Sequence, residues 1–206
     1  MNLLRPFSHQ VMKLLFVTTN PGKVKSAQRN FEGSGIEVTW QNLVLHEPRG
    51  EDPVEIAMAK VHQAYDLLKK PLMVVDAGFS MDALNGWPGT FINFNLQKLG
   101  LPGFLKLLEG KDTRKACFFH VLAFHDGEKI HTFRDEVGGR ISDTPGGKRE
   151  AWHWSDLALI FQPFSENRTL AEMTESEFHD NYSQKVSNVY QMLCEHLLKN
   201  PSKPGS

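Results

Sequence analysis

The sequence predicts an α/β protein, and three stretches carry that prediction. Leu14 to Val17 is a continuous apolar run followed at once by a helix start, the pattern of a buried strand feeding a helix. Leu72 to Val75 is a second such run, and it ends on a carboxylate, Asp76. Arg114 to Phe124 and Lys129 to Val137 flank Asp126-Gly127, a good hairpin turn. Parallel units followed by an antiparallel hairpin predict a mixed sheet that extends into a second lobe.

The first unit is Leu14 to Lys23. After the apolar run, Thr18 and Thr19 offer hydroxyls, Asn20 is a good N-cap, and Pro21 falls at N1, where a missing N–H costs nothing. Gly22 removes bulk where backbone amides would meet a ligand. Lys23 sits in the first turn, where its charge opposes the helix dipole unless an anion lies between them. Amides, hydroxyls and lysine together read as a phosphate cradle, although a plain strand-to-helix turn with a solvated lysine has the same spacing. The helix is expected to run to about Phe31, with Val24, Ala27 and Phe31 on one face. Ile36 to Trp40 is the next strand. The cradle thus falls at a strand's C-terminal end, where open α/β sheets bind ligands.

Asn42 to Asp52 is polar and irregular. Asp52, Pro53 and Glu55 then start a helix as N-cap, N1 and N3, with Val54, Ala57, Val61, Ala64, Tyr65 and Leu68 as its apolar stripe. Lys60, at the edge of that stripe, either snorkels to solvent or reaches a cleft as a second phosphate ligand. Asp76 at its strand's end is costly to bury unless paired or metal-bound, so it is a candidate metal ligand or general base. The other reading is a turn or cap carboxylate. Gly78 permits close approach of backbone or ligand, and Asp82 reads as structural. Asn85 to Gly89 is a turn rich in backbone amides, Leu101 to Leu108 a short helix, and Gly138-Gly139-Arg140 the close of the hairpin. Pro145 to Lys148 is glycine-rich but lacks the Walker A spacing. Trp152 and Trp154 are either core aromatics or a stacking surface for a nucleobase. Leu157 to Phe161 reads as a buried strand. Thr174 and Glu177 form a capping box for a long C-terminal helix whose buried stripe is Phe178, Tyr182, Val186, Val189, Tyr190, Leu193 and Leu197.

Composition narrows the function. The 206 residues are 40% hydrophobic and fit one domain, or one domain in two lobes. A net charge of −1 provides no basic field to gather nucleic acid. No apolar run approaches the ~20 residues that span a membrane. The two cysteines, Cys117 and Cys194, form no close pair, which suits a reducing compartment, so the chain is expected to be cytoplasmic. Residues 1–12 read as an N-terminal extension without a signal-peptide core, with Met12 a candidate alternative start. Residues 13–200 read as the domain and 201–206 as a tail. The nine histidines make no zinc motif, and no Gly-x-Ser-x-Gly elbow supports a serine hydrolase.

Taken together, the ordered motifs resemble the inosine triphosphate pyrophosphatase family, which hydrolyses non-standard purine nucleoside triphosphates. Residues 16–23 are similar to the family's Thr-x-Asn-x-x-Lys phosphate motif. Glu47 falls where the family places a metal-binding glutamate. Asp76-Ala-Gly-Phe, Asp82-Ala-Leu and Gly86-Trp-Pro-Gly89 resemble its Asp-Ser-Gly-Leu…Asp-Ala-Leu…Gly-x-Pro-Gly signature, with Asp76 at the catalytic aspartate. Gly139-Arg140-Ile141, Phe161-Gln162-Pro163 and Ala171-Glu172-Met173 are further landmarks. The resemblance implies a long twisted mixed sheet with helices on both sides, two lobes around a central cleft, and a homodimer. It implies magnesium between Glu47, Asp76 and phosphate oxygens, Asp76 acting on the attacking water, and Lys23 and Lys60 holding the phosphate chain. Thr18, Thr19 and Asn20 would add hydrogen bonds, and Trp154 and Asp156 are the candidates for the base pocket. The chain departs from the pattern in four places. Val75 replaces one of two adjacent acids, Ala77 replaces a serine, and Trp152 to Leu157 replaces a Phe-Gly-Tyr/Trp-Asp-Pro segment. Tyr182-Ser183-Gln184-Lys185 stands in the region of a Ser-His-Arg. Phosphate handling is expected to be retained and base recognition altered. A nucleotide-binding regulator without turnover, or a structural protein on a borrowed fold, are the rival readings.

Overall fold

A computed structural model describes residues 11–46, 48–153, 155–178 and 189–200. Seven strands make one mixed sheet in the order β2-β1-β3-β5-β6-β7, with the short β4 paired to β3. They are β1 (Met12–Val17), β2 (Ile36–Gln41), β3 (Leu72–Met81), β4 (Pro88–Gly89), β5 (Lys115–His125), β6 (Ile130–Ile141) and β7 (Phe161–Pro163). β1 runs parallel to β2 and β3, while β5, β6 and β7 add on antiparallel. β1 already begins at Met12, which pairs with Ile36, so that residue belongs to the sheet and not to an extension.

Helices cover both faces, as strand periodicity requires when alternate residues of one strand are both apolar. On one face, α1 (Pro21–Asn30) and the C-terminal helix Val189–Lys199 pack on Leu14, Phe16, Met73, Val75, Leu122 and Phe124. On the other, α2 (Pro53–Leu68) lays Ala57, Val61 and Ala64 on Leu72, Val74, Val121 and Ala123. β3, β5 and β6 are long enough to continue past these helices into a second core. That core is built on Phe79, Met81, Phe118, Val137 and Ile141, with α3 (Ile92–Leu107) and Leu157, Ile160 and Phe161 packed against it. The result is two lobes on a shared set of strands, with the cleft between them.

Several elements differ from the sequence reading. β3 does not stop before Asp76. It runs on to Met81, and β5 pairs with it along all ten residues. Gly78 does permit close approach, and it is backbone and a ring that approach: a Cβ there would lie 2.0 Å from the Phe119 ring and 2.8 Å from the Gly89 carbonyl. α3 begins nine residues before Leu101, because its first half has no apolar stripe to announce it. It breaks at Gly100 (φ 62, ψ 176), two residues before Pro102. Gly138, Gly139 and Arg140 lie inside β6, where the side chains of Phe164 and Phe161 occupy the space that Cβ atoms would need at the two glycines. Leu157 to Phe161 is a 3-10 turn (Asp156–Leu159) followed by β7, and not one strand. Such short apolar runs do not distinguish the two by periodicity. Pro145 to Lys148 is a packing turn: Gly147 (φ +70) would put a Cβ 2.1 Å from the Ala171 carbonyl, and Lys148 donates its amide to that same oxygen. Thr174 caps Glu175–Glu177 with Glu177 reciprocating. Tyr182 and Val186 of the expected C-terminal stripe lie outside the described residues, while Val189, Tyr190, Leu193 and Leu197 are buried as expected.

Candidate active site

The cleft exists because two neighbours of β3 end early. β1 pairs with β3 only at Leu15–Leu72 and Phe16–Met73 and stops at Val17; β4 pairs only at Phe79 and Ser80. Between Met73 and Phe79, this edge of β3 has no strand partner among the described residues. A cavity of about 560 Å³ opens there, within the range of small-molecule sites. Strand alternation splits its wall. Asp76 projects to the α2 face with Leu72 and Val74, and Ala77 to the α1 face with Met73 and Val75.

The turn from β1 into α1 forms one end. Asn20 caps α1 by accepting the Gly22 and Lys23 amides at 2.9 and 3.3 Å, and Thr18 Oγ1 accepts the Asn20 amide at 3.1 Å. Lys23 Nζ donates to the Val75 carbonyl at 2.8 Å, so the lysine occupies the unpaired edge of β3 and lies in the cleft. Thr18, Thr19, Asn20, Gly22 and Lys23 all line the cavity.

Lys60 does not snorkel to solvent but turns into the cleft. Its ammonium lies 3.0 Å from Asp76 Oδ1, and both side chains are largely buried, 17% and 8% exposed. Asp76 is therefore neither a cap nor a turn residue but half of a buried ion pair in the middle of a strand, on the cavity wall. A buried pair is a costly way to gain stability compared with apolar packing, so this one on a cavity wall is a candidate functional group.

Glu47, expected as a metal ligand, and Trp154, expected at the base, lie outside the described residues. Pro48, Arg49 and Gly50 after Glu47 do line the cavity. The Gly50 carbonyl accepts from Thr90 Oγ1 at 2.5 Å, which ties this loop to the second lobe. Asp156 is not brought to the cavity. It pairs with Arg149 at 2.9 Å, and its side chain is 61% exposed. The neighbouring Ser155 lines the cleft instead, with its Oγ capping the turn that follows by accepting the Leu157 amide. Trp152 packs against His153 and Phe178, in the second lobe's core.

Among the cavity residues the sequence reading gave no site role are Arg49, Phe91, Phe94 and His120. Arg49 is an exposed cation on the β2–α2 loop, Phe91 and Phe94 stand at the start of α3, and His120 projects from β5. Only His120 had a legible signal: a polar residue at the alternate position of an otherwise apolar strand face, Phe118-x-His120-x-Leu122-x-Phe124.

Among the described residues no cluster of three or more His, Cys, Asp or Glu is placed to hold a metal ion. The described residues of the cavity thus form no all-protein cage. Magnesium does not need one, since it takes one or two carboxylates together with substrate phosphates and keeps several waters. A lone buried carboxylate beside an anion cradle fits that habit.

Fold and cleft together define an α/β protein with two lysines, a helix N-terminus and one carboxylate converging where the sheet's strand order switches, an architecture suited to a phosphorylated ligand. The comparisons place it further: residues 14–193 match the Ham1 family, and the chain belongs to that family. It is 36% identical over 166 residues to a dITP/XTP pyrophosphatase of Thermococcus kodakarensis, covering 81% of this chain and 88% of the relative. It is 35% identical over 179 residues to inosine triphosphate pyrophosphatase 1 of Trypanosoma cruzi, covering 85% and 87%. Its fold is that of a HAM1 protein from Coxiella burnetii, with a TM-score of 0.75 at 21% identity over 91% of this chain and 99% of the other. No described helix is long and apolar enough to cross a membrane.

Proposed function

We propose that this chain hydrolyses non-standard purine nucleoside triphosphates, such as those of inosine, deoxyinosine and xanthosine, to the monophosphate and pyrophosphate. The observation that carries the reading is the Lys60–Asp76 pair on the same stretch of β3 that Lys23 of the Asn20–Lys23 turn reaches, in a chain over one-third identical to a dITP/XTP pyrophosphatase.

The reaction breaks the anhydride between the α and β phosphates, with water supplying the new oxygen. The hydroxyls of Thr18 and Thr19 and the Lys23 ammonium hold the phosphate chain at the positive end of the α1 dipole. Asp76 orients the attacking water and accepts its proton. Lys60, at the Asp76 carboxylate, offsets the charge that grows on the leaving pyrophosphate. Magnesium, with Glu47 and Asp76 as its protein ligands, would supply further neutralisation of the phosphate charge. Closure of the Thr90–Gly50 contact across the lobes keeps the loop after Glu47 against the cavity. A homodimer in the cytoplasm belongs to the same proposal, and sedimentation equilibrium tests the first part.

The deciding experiment measures pyrophosphate release from inosine, xanthosine, guanosine, adenosine, uridine and thymidine triphosphates, with and without magnesium. Magnesium-dependent release from inosine or xanthosine triphosphate is expected. Tight nucleotide binding with no release from any of the six would favour the regulator reading, and no binding at all would reject both.

A further inference from the structure

His120 is a polar side chain in an apolar strand face, and the phosphate cradle and the Lys60–Asp76 pair make no use of it. It lines the cavity and is only 8% exposed. On β3 it stands opposite Ala77, and on β6 opposite Asp135, so the three form a row across adjacent strands on the α1 face. Asp76, one residue along β3, projects to the other face with Lys60. The α1 side chain above this row is Lys23, whose charge reaches the imidazole. Burial first, and Lys23 second, push the pKa of His120 down to about 4, so near neutral pH the ring is uncharged, with one N–H donor and one acceptor. A methyl group at Ala77 leaves room in front of that ring and brings no polar group of its own.

A neutral donor and an ammonium on one wall suit an oxygen anion better than a base edge, since both groups can then donate to it. We propose that His120 is a substrate-binding residue of this cleft, donating a hydrogen bond to the same phosphate chain that Lys23 holds. This rests on the phosphate-binding reading of the cleft, but not on turnover.

Inorganic tripolyphosphate and the α,β-imido analogue of inosine triphosphate are the probes, titrated calorimetrically into the full chain. His120→Leu fills the volume and removes the donor; His120→Gln keeps an N–H donor. The leucine variant is expected to bind both probes about tenfold more weakly, the scale of one charge-assisted hydrogen bond, and glutamine to restore most of it. KM for hydrolysis rises in the leucine variant more than kcat falls. In the unmodified protein, the imidazole nitrogen resonances of His120 shift on adding tripolyphosphate, a readout that no folding defect can supply. Wild-type affinity for tripolyphosphate in a folded leucine variant overturns the proposal, as do unmoved imidazole resonances. Weaker binding of the imido analogue alone overturns it too, because it moves the contact to the nucleoside. A protein that binds tripolyphosphate through His120 yet hydrolyses no nucleotide would leave this inference standing and remove the proposed function.

Discussion

At the scale of single residues, the proposed reaction turns on Asp76, the one carboxylate that lines the cleft among the described residues. Asp76→Asn is nearly isosteric and can still accept from Lys60, so the fold is retained, with some loss of stability because the buried ammonium loses its counter-charge. Turnover is expected to fall about 10²–10⁴-fold, the usual contribution of a positioned acid or base, and pyrophosphate release measures it. A wild-type rate would remove Asp76 from the reaction. Lys23→Ala should weaken triphosphate binding more than monophosphate binding, because its ammonium sits on the β3 edge beside the cradle; an equal loss by calorimetry would take Lys23 out of the phosphate site. For the base, Ser155 reaches the cavity and Asp156 does not. A hydroxyl can donate or accept, so it cannot enforce a strict choice between base edges. Selectivity in kcat/KM between inosine or xanthosine triphosphate and the rest of the panel is therefore expected to stay below the roughly 10⁴-fold that dedicated hydrogen bonds give. Asp156→Asn should leave it unchanged while Ser155→Ala shifts it; the reverse pattern would place the base elsewhere.

At the scale of elements, β3 is the piece on which both lobes and the cleft depend. Its N-terminal half is buried between α1 and α2, and its C-terminal half lies in the second core. Its middle carries Asp76 and the unpaired edge. Gly78 is the tightest point, where β3 passes under Phe119 and against the Gly89 carbonyl. A methyl group there has one ring and one backbone atom to displace, and the backbone atom has nowhere to go. Gly78→Ala is expected to destabilise the protein by about 1–3 kcal/mol or more, the cost of overpacking, read from urea unfolding. A neutral result would show that the second lobe can slide along β3.

At the scale of the whole molecule, stability should fall in two steps on acidification. His120, His125 and His196 are all held below the usual histidine range, each chiefly by burial. The unfolded chain takes up protons near pH 6.5 before the native one does. Their contribution is thus complete above that pH and is lost on the way down, for His120 through about pH 4. Asp126 follows. Burial pushes its carboxyl up, but the His131 hydrogen bond at 2.7 Å and the amides of Lys129 and Glu128 outweigh burial and bring it down to about 2. Its contribution is complete above about pH 4 and fades toward pH 2. Urea midpoints across pH 7 to 2 should show His120→Gln flattening the upper step and Asp126→Asn the lower. If neither variant altered the profile, the acid sensitivity would lie with His125, His196 or other carboxylates.

By itself, the sequence determined the parts whose signals are local. The Asn20 and Asp52 caps, the buried runs of β1 and β3, the Asp126-Gly127 hairpin, the Thr174 capping box and the strand-to-helix turn at Asn20 to Lys23 are all written in runs of a few residues, because capping, turn chemistry and burial periodicity act over that range. The ordered motifs also sufficed for the family. What only the tertiary structure decided depends on which strands lie side by side and where each one ends. The unpaired edge of β3 exists because β1 stops at Val17 while β5 pairs along all of β3, and neither sequence signals where its partner will stop. That edge puts Asp76 in mid-strand, brings Lys60 across from α2, and turns His120 and Ser155 into the cleft while Asp156 faces Arg149 outside it. Gly78 reads as a point of close approach and Gly138 and Gly139 as the close of a hairpin, but what fills the space at each is decided by side chains and carbonyls from other elements. Contacts of that kind are set by the packing of distant segments, and no local pattern records them.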